Sequence, residues 1–96
     1  MITHQQIDRR SLAYARAIAA KIDADPSRAG LALAKENCRR WLAVQPAPAL
    51  LEWERILEND WEHIRPILID DSDEGQRLRQ SSPFCGILSR EERNAI

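Results

Sequence analysis

"THQQIDRRSLAYARAIAAKIDADP", residues 3–26, decides the fold class of this chain. Thr3 followed three residues later by Gln6 has the form of a capping box, in which a hydroxyl and an amide satisfy the free N–H groups of a helix start reciprocally. Ile7, Ser11, Tyr14, Ile18 and Ile22 then recur at spacings of three and four, the period of one face of an α-helix. Leu12, Ala15 and Ala19 widen that stripe, while Arg9, Arg10, Arg16 and Lys21 occupy much of the remainder. The helix therefore buries one face and solvates the other. Asp25-Pro26 predicts both its end and the start of the next helix, since Asp is a good N-cap and Pro is pre-set for the first helical position.

The same grammar extends in the C-terminal direction. From Ser27 to about Val44, Leu31, Ala34, Cys38, Trp41 and Leu42 form an apolar side, with Arg28, Lys35, Arg39 and Arg40 largely off it. QPAP (45–48) breaks the pattern, because Pro restricts its own backbone and that of the residue before it. A third helix is predicted from about Pro48 to Glu58 around Leu50, Trp53, Ile56 and Leu57, with Asn59 and Asp60 supplying the next stop and cap. In WEHIRPILIDD (61–71), Pro66 removes a helix hydrogen bond, which predicts a short helix kinked near Arg65 or two turns split there. Asp71 to Glu74 has capping-box form and opens a short helix through about Gln80, anchored by Leu78. Ser89 and Glu92 form another S-x-x-E box ahead of REERNAI (90–96). No strand alternation, internal repeat or low-complexity run occurs. The expectation is an all-α fold, a small bundle of about five or six short helices, in one domain spanning residues 1–96.

Composition narrows the function classes. A chain of 96 residues buries only a little over about 60% of the surface its unfolded form exposes, so a lone core confers modest stability. No apolar run approaches the roughly 20 residues of a membrane span, and MITHQQIDRR lacks the apolar core of a signal peptide. The expected setting is cytoplasmic, without membrane contact, and there Cys38 and Cys85 are expected to be free thiols acting as small apolar groups. The net charge of −1 hides an asymmetry. Residues 1–48 carry eight Lys/Arg against four Asp/Glu, and residues 49–96 carry six against eleven, so one half is +4 and the other −5. Residues 52–74 hold nine acids against Arg55 and Arg65, which suits a basic protein better than a phosphate backbone.

Catalytic signals are missing. His4 and His63 are the only histidines, neither cysteine lies in a CxxC or beside a histidine, and no closely spaced ligand pair announces a metal; no metal or cofactor is expected. Ser81, Ser82 and Cys85 lack the context of an activated nucleophile, and glycine-rich phosphate loops are absent. The expectation is a protein that is not an enzyme. Binding to DNA would use the basic first two helices, through Arg9, Arg10, Arg39 and Arg40, because the third helix presents Glu52, Glu54 and Glu58, which duplex DNA repels. Such a regulator would act as a dimer, and self-association stays open. Trp41 and Trp53 lie near their apolar stripes and are expected in the core. Trp61, beside the Asp60 cap and within the acidic stretch, is a candidate half-exposed interface anchor.

Two stretches carry a family resemblance. "NCRRWLAVQPAPALLEWERIL" (37–57) and "RLRQSSPFCGILSREER" (77–93) resemble a family of small bacterial antitoxin-like proteins with a Leu-x-Glu-Trp helix and a closing Ser-Ser-Pro-Phe-Ala-Gly-Val-Leu-Ser-x-Glu-Glu-Arg segment. The resemblance runs from about Asp25 onward and is most specific in the closing segment. Cys85 stands where the family has alanine, and Pro66 interrupts a helix expected to be continuous. Members are encoded upstream of a second protein in two-gene, toxin-antitoxin-like modules. The resemblance thus implies an antitoxin-like protein that neutralises a cognate toxin, nucleotidyltransferase-like or nuclease-like, by contact alone. The surface expected to make that contact comprises Glu52, Glu54, Glu58, Asp60, Trp61, Arg77, Arg79 and Phe84, with carboxylates facing a basic cleft and the two rings as anchors. A DNA-binding autorepressor is the alternative. The loop SSPFCG (81–86) has two readings, Phe84 plugging a pocket of the bundle itself or reaching a partner.

Overall fold

The computed structural model describes residues 3–96; the side chain of His4, weighed above as a ligand, lies outside the described residues. Six helices follow in order: α1 (His4–Asp23), α2 (Ala29–Val44), α3 (Pro48–Ile56), α4 (Trp61–Leu68), α5 (Asp73–Arg79) and α6 (Arg90–Asn94). No strand occurs among the described residues, and the fold is all-α as expected. Among the described residues, no helix is long and apolar enough to cross a membrane.

Local chemistry sets most of the boundaries. Both halves of the Thr3/Gln6 and Ser89/Glu92 capping boxes form, at the starts of α1 and α6. Asp60 caps α4 by accepting from the His63 N–H, and Pro48 takes the first position of α3.

Two expectations are corrected, and a choice left open is decided. The helix predicted from Ser27 begins at Ala29, because Asp25 spends its carboxylate on a turn: Oδ1 accepts from the Ser27 N–H at 3.0 Å and from the Ser27 hydroxyl at 2.8 Å. Its Oδ2 still reaches the Ala29 N–H at 2.9 Å, so Asp25 serves the first turn of α2 from outside it. Arg28 makes the corner with a left-handed backbone, φ 52°, and its Nη1 donates to the Ile22 carbonyl at 2.7 Å, closing the end of α1. The cap of α5 is Ser72, not Asp71, and its hydroxyl accepts from the Gly75 N–H. Of the two readings for residues 61–71, the short helix is the one found: α4 runs through Pro66 without splitting into two turns. Proline leaves the Glu62 carbonyl without its usual donor, but Glu62 is exposed. The buried trio Trp61, Ile64 and Leu68, spaced by three and four, holds the remaining turns against the core.

α1 packs against α2, α4 and α5, α3 lies on α2, and α4 lies on α5. The core these helices share is centred on Trp53, Ile22, Ile64, Leu68 and Pro83, all fully buried. Trp53 donates its indole N–H to the Leu78 carbonyl at 2.8 Å, so α3 and α5 are joined by a satisfied polar contact as well as by apolar packing. Trp41, expected in the core, is only half-buried. Gly75 is required by close approach: a Cβ there would stand 1.9 Å from the Asp70 carbonyl oxygen.

Candidate partner-binding groove

The closing segment folds inward. Phe84, 3% exposed, sets its ring edge-on to Trp53 with centroids 5.7 Å apart, and lies 6.5 Å from the ring of Trp61. Asn37, a polar residue on the apolar side of α2, holds the loop in place. Its Nδ2 donates to the Pro83 and Cys85 carbonyls, each at 3.0 Å, while its Oδ1 accepts from Arg40 at 2.6 Å. Three donor–acceptor roles thereby fix which way the amide faces. Gly86, at φ 79°, turns the chain away after the plug, in a region that other residues enter at a cost. Lys21 then ties the next segment to α1, donating to the Ile87 carbonyl at 2.7 Å and to Glu92 at 2.6 Å. The Lys21 ammonium holds the Glu92 carboxyl well below the usual range, at about 2, with help from the Ser89 cap.

With the loop drawn in, a groove opens between it, α1 and the C-terminal residues. One lobe of about 960 Å³ is bordered by Ile7, Tyr14 and Ile18 of α1, by Phe84 and Cys85, and by Ile96. A second lobe of about 400 Å³ shares Tyr14, Ile18, Phe84 and Cys85 with it and continues to α6. The charged side chains lining the two lobes are Arg10 and Arg79 in the first and Arg90 and Arg93 in the second. Among the described residues, no Asp or Glu side chain lines either one. Arg10 sits 6.0 Å over the ring of Tyr14, and Ile7 at the rim is 52% exposed. An apolar trough with guanidinium groups along it suits an amphipathic segment of opposite charge.

The residues expected at a partner surface are dispersed. Trp61 and Phe84, expected as anchors, are core: Trp61 is 5% exposed, and its indole N–H donates to Asp23 at 2.7 Å. The second oxygen of Asp23 accepts from Arg65 at 2.9 Å, so this carboxylate clamps α4 to the end of α1, and the Trp61 bond chiefly holds it below the usual carboxylate range. Arg77 is spent on its own fold, bidentate to Glu52 at 2.8 and 3.1 Å and also paired with Glu74. Asp60 is paired with His63. Glu54 and Glu58 are exposed and border a cavity of about 320 Å³ together with Lys35 and Arg39 of α2. Arg79, expected on that surface, is 8% exposed and lies in the floor of the groove.

Of the four arginines proposed for DNA, Arg39 chelates Glu36 through Nε at 3.0 Å and Nη2, and Arg40 is held by Asn37. Arg10 belongs to the groove, and Arg9 is exposed on α1. The residues that sequence reasoning missed are Asn37 and Lys21. Asn37 carried a signal, a lone amide on an otherwise apolar helix face; Lys21 carried none.

Cys38 is buried, and burial, followed by the nearby Glu54 charge, pushes its thiol up; Cys85 is exposed, and the two are free. Among the described residues, no group of three or more His, Cys, Asp or Glu side chains is arranged to hold a metal ion. Compared with known protein families, curated proteins and solved structures, the chain matches none.

Proposed function

We propose that this chain is a non-catalytic, antitoxin-like binding protein that acts in the cytoplasm by engaging a partner protein encoded beside it. The observation that carries this reading is the groove: mainly apolar, open at Ile7, and lined by arginines as its only charged side chains among the described residues. The partner lays an acidic, amphipathic segment along α1. Its apolar side chains supply affinity by displacing water from Ile7, Tyr14 and Ile18, and its carboxylates speed and orient association through Arg10, Arg90 and Arg93. The resemblance of residues 77–93 to the antitoxin-like family supplies the class of partner, a nucleotidyltransferase-like or nuclease-like toxin. The charge complementarity of the docking surface is thus the reverse of the one expected from the acidic stretch 52–74, of whose carboxylates Glu52, Asp60 and Glu74 are paired within the molecule.

Co-expression with the neighbouring gene's product tests the reading. A tagged chain should retain that product through purification and restore growth that the product alone suppresses. A neighbour that neither binds nor affects growth overturns it.

A further inference from the structure

Part of the apolar stripe of α1 is left uncovered by the other described elements. Ala15, Ala19 and Ile22 are buried in the core, whereas Ser11, Tyr14 and Ile18 are half-buried and Ile7 is exposed. These four positions follow one another at three and four residues, and all of them line the larger lobe of the groove. At ~1.5 Å per residue, the run from Ile7 to Ile18 extends for about 16 Å, or three turns. The charges sit towards its two ends. Arg10 lies within one turn of Ile7, while Arg90 and Arg93 border the lobe that meets α1 only at Tyr14 and Ile18. None of these three arginines makes an ion pair among the described residues, unlike Arg39, Arg65 and Arg77.

Neither long wall is a strand edge along which an extended segment could pair its backbone. α1 spends its backbone groups inside the helix. In the loop that faces it, the Pro83 and Cys85 carbonyls are taken by Asn37, and the Phe84 N–H donates to the Ser82 hydroxyl at 3.2 Å. An extended occupant would bury N–H and C=O groups with nothing to pair them, a cost repeated along its length. A helix satisfies its own backbone and meets the stripe of α1 side chain to side chain, ridge into groove.

We infer that the groove receives an amphipathic helix of about three turns, apolar along one face and carrying Glu or Asp near both ends. The inference rests on the groove reading above and specifies the element that the partner must present. The apolar face covers Ile7, Tyr14 and Ile18. Carboxylates at one end meet Arg10, and those at the other meet Arg90 and Arg93.

The probe is a synthetic peptide of about 14 residues, with Leu at three- and four-residue spacing on one face, Glu at both ends and Ala elsewhere. Titrated into the unmodified ¹⁵N-labelled chain, it should move the amide resonances of residues 7–18 and 84–93 saturably. Two companions isolate shape and sign, one with a central Pro that breaks the helix and one with Lys in place of every Glu. Each should bind at least about tenfold more weakly. A central-Pro peptide that binds as well as its parent overturns the helical occupant, and a Lys peptide that does so overturns the placement of charge. Resonances that stay still with the parent peptide at about 1 mM overturn both. In any of these cases, capture of the neighbouring gene's product that is lost in Ile7→Glu would leave the groove reading standing with a different occupant. A wild-type chain that captures nothing fells that reading whatever the peptides do.

Discussion

Replacing Asn37 by Ala should cost this protein roughly 2–4 kcal/mol. The amide donates to two carbonyls that have no helix partner, those of Pro83 and Cys85, both across a gap of more than forty residues in sequence. The Pro83 contact is buried, so its oxygen is left without a donor, at about 1–3 kcal/mol. The Cys85 contact is only partly buried, and its carbonyl can turn to water, at about 0.5–1.5 kcal/mol. Loss of the Arg40 contact adds little, because Arg40 is exposed. For a domain whose whole stability is about 5–14 kcal/mol, this is a large fraction, and Tm should fall by roughly 10–25 °C. Urea unfolding followed by tryptophan emission is the assay, since Trp53 and Trp61 flank the Phe84 plug that Asn37 positions. The midpoint should drop with the slope unchanged. Asn37→Asp should be comparably damaging near neutral pH, because a carboxylate cannot donate to the two carbonyls. A loss below about 0.5 kcal/mol in Asn37→Ala, the level of an ordinary surface change, would refute the claim that this amide holds the loop.

Other expectations follow from single contacts. Gly75→Ala should destabilise by about 2 kcal/mol or more, read as a Tm roughly 10 °C lower, because the methyl meets backbone oxygen that no rotamer change can move aside. On acidification, the last helix should loosen from α1: the Glu92 carboxyl titrates at about 2 when folded against an ordinary 4.5, so its contribution is complete above 4.5 and is lost as pH falls towards 2. Amide exchange across residues 88–94 should rise through that window, and Lys21→Met should weaken the pH dependence, leaving the part that the Ser89 cap supplies. Native protein should take up one equivalent of iodoacetamide, at Cys85, and a second only when unfolded, since Cys38 is buried and its thiol raised; rapid double labelling of the native chain, seen by mass, would contradict the core packing.

What the sequence disclosed was what neighbours in the chain decide. Thr3/Gln6, Ser89/Glu92 and Asp60 act within one turn, so their caps were legible. Cap identity failed where side chains had local rivals. Asp25 folded into a turn with Ser27, and Ser72 took the cap of α5 one residue beyond Asp71. Pro66 left a choice open, and the helix prevails because eight residues survive a missing hydrogen bond when its lost partner is at the surface and the other face is nailed down by Trp61, Ile64 and Leu68. The site was the least legible part. Its charge sign depends on which arginines find carboxylates: Arg77 does so twice, Arg39 once, while the buried Arg79 donates to backbone carbonyls instead. No run of sequence shows that, since the pairing is settled by how α3, α4 and α5 meet.

The groove itself is tested most directly by paired charge changes on exposed positions that leave the core alone. Capture of the neighbouring gene's product should be abolished by Ile7→Glu, which places a carboxylate at the rim of the trough, and should survive Glu58→Lys on the opposite-signed flank, with both variants melting within a few degrees of wild type. Capture that withstands Ile7→Glu and is lost in Glu58→Lys would contradict the account and return the contact to the acidic surface.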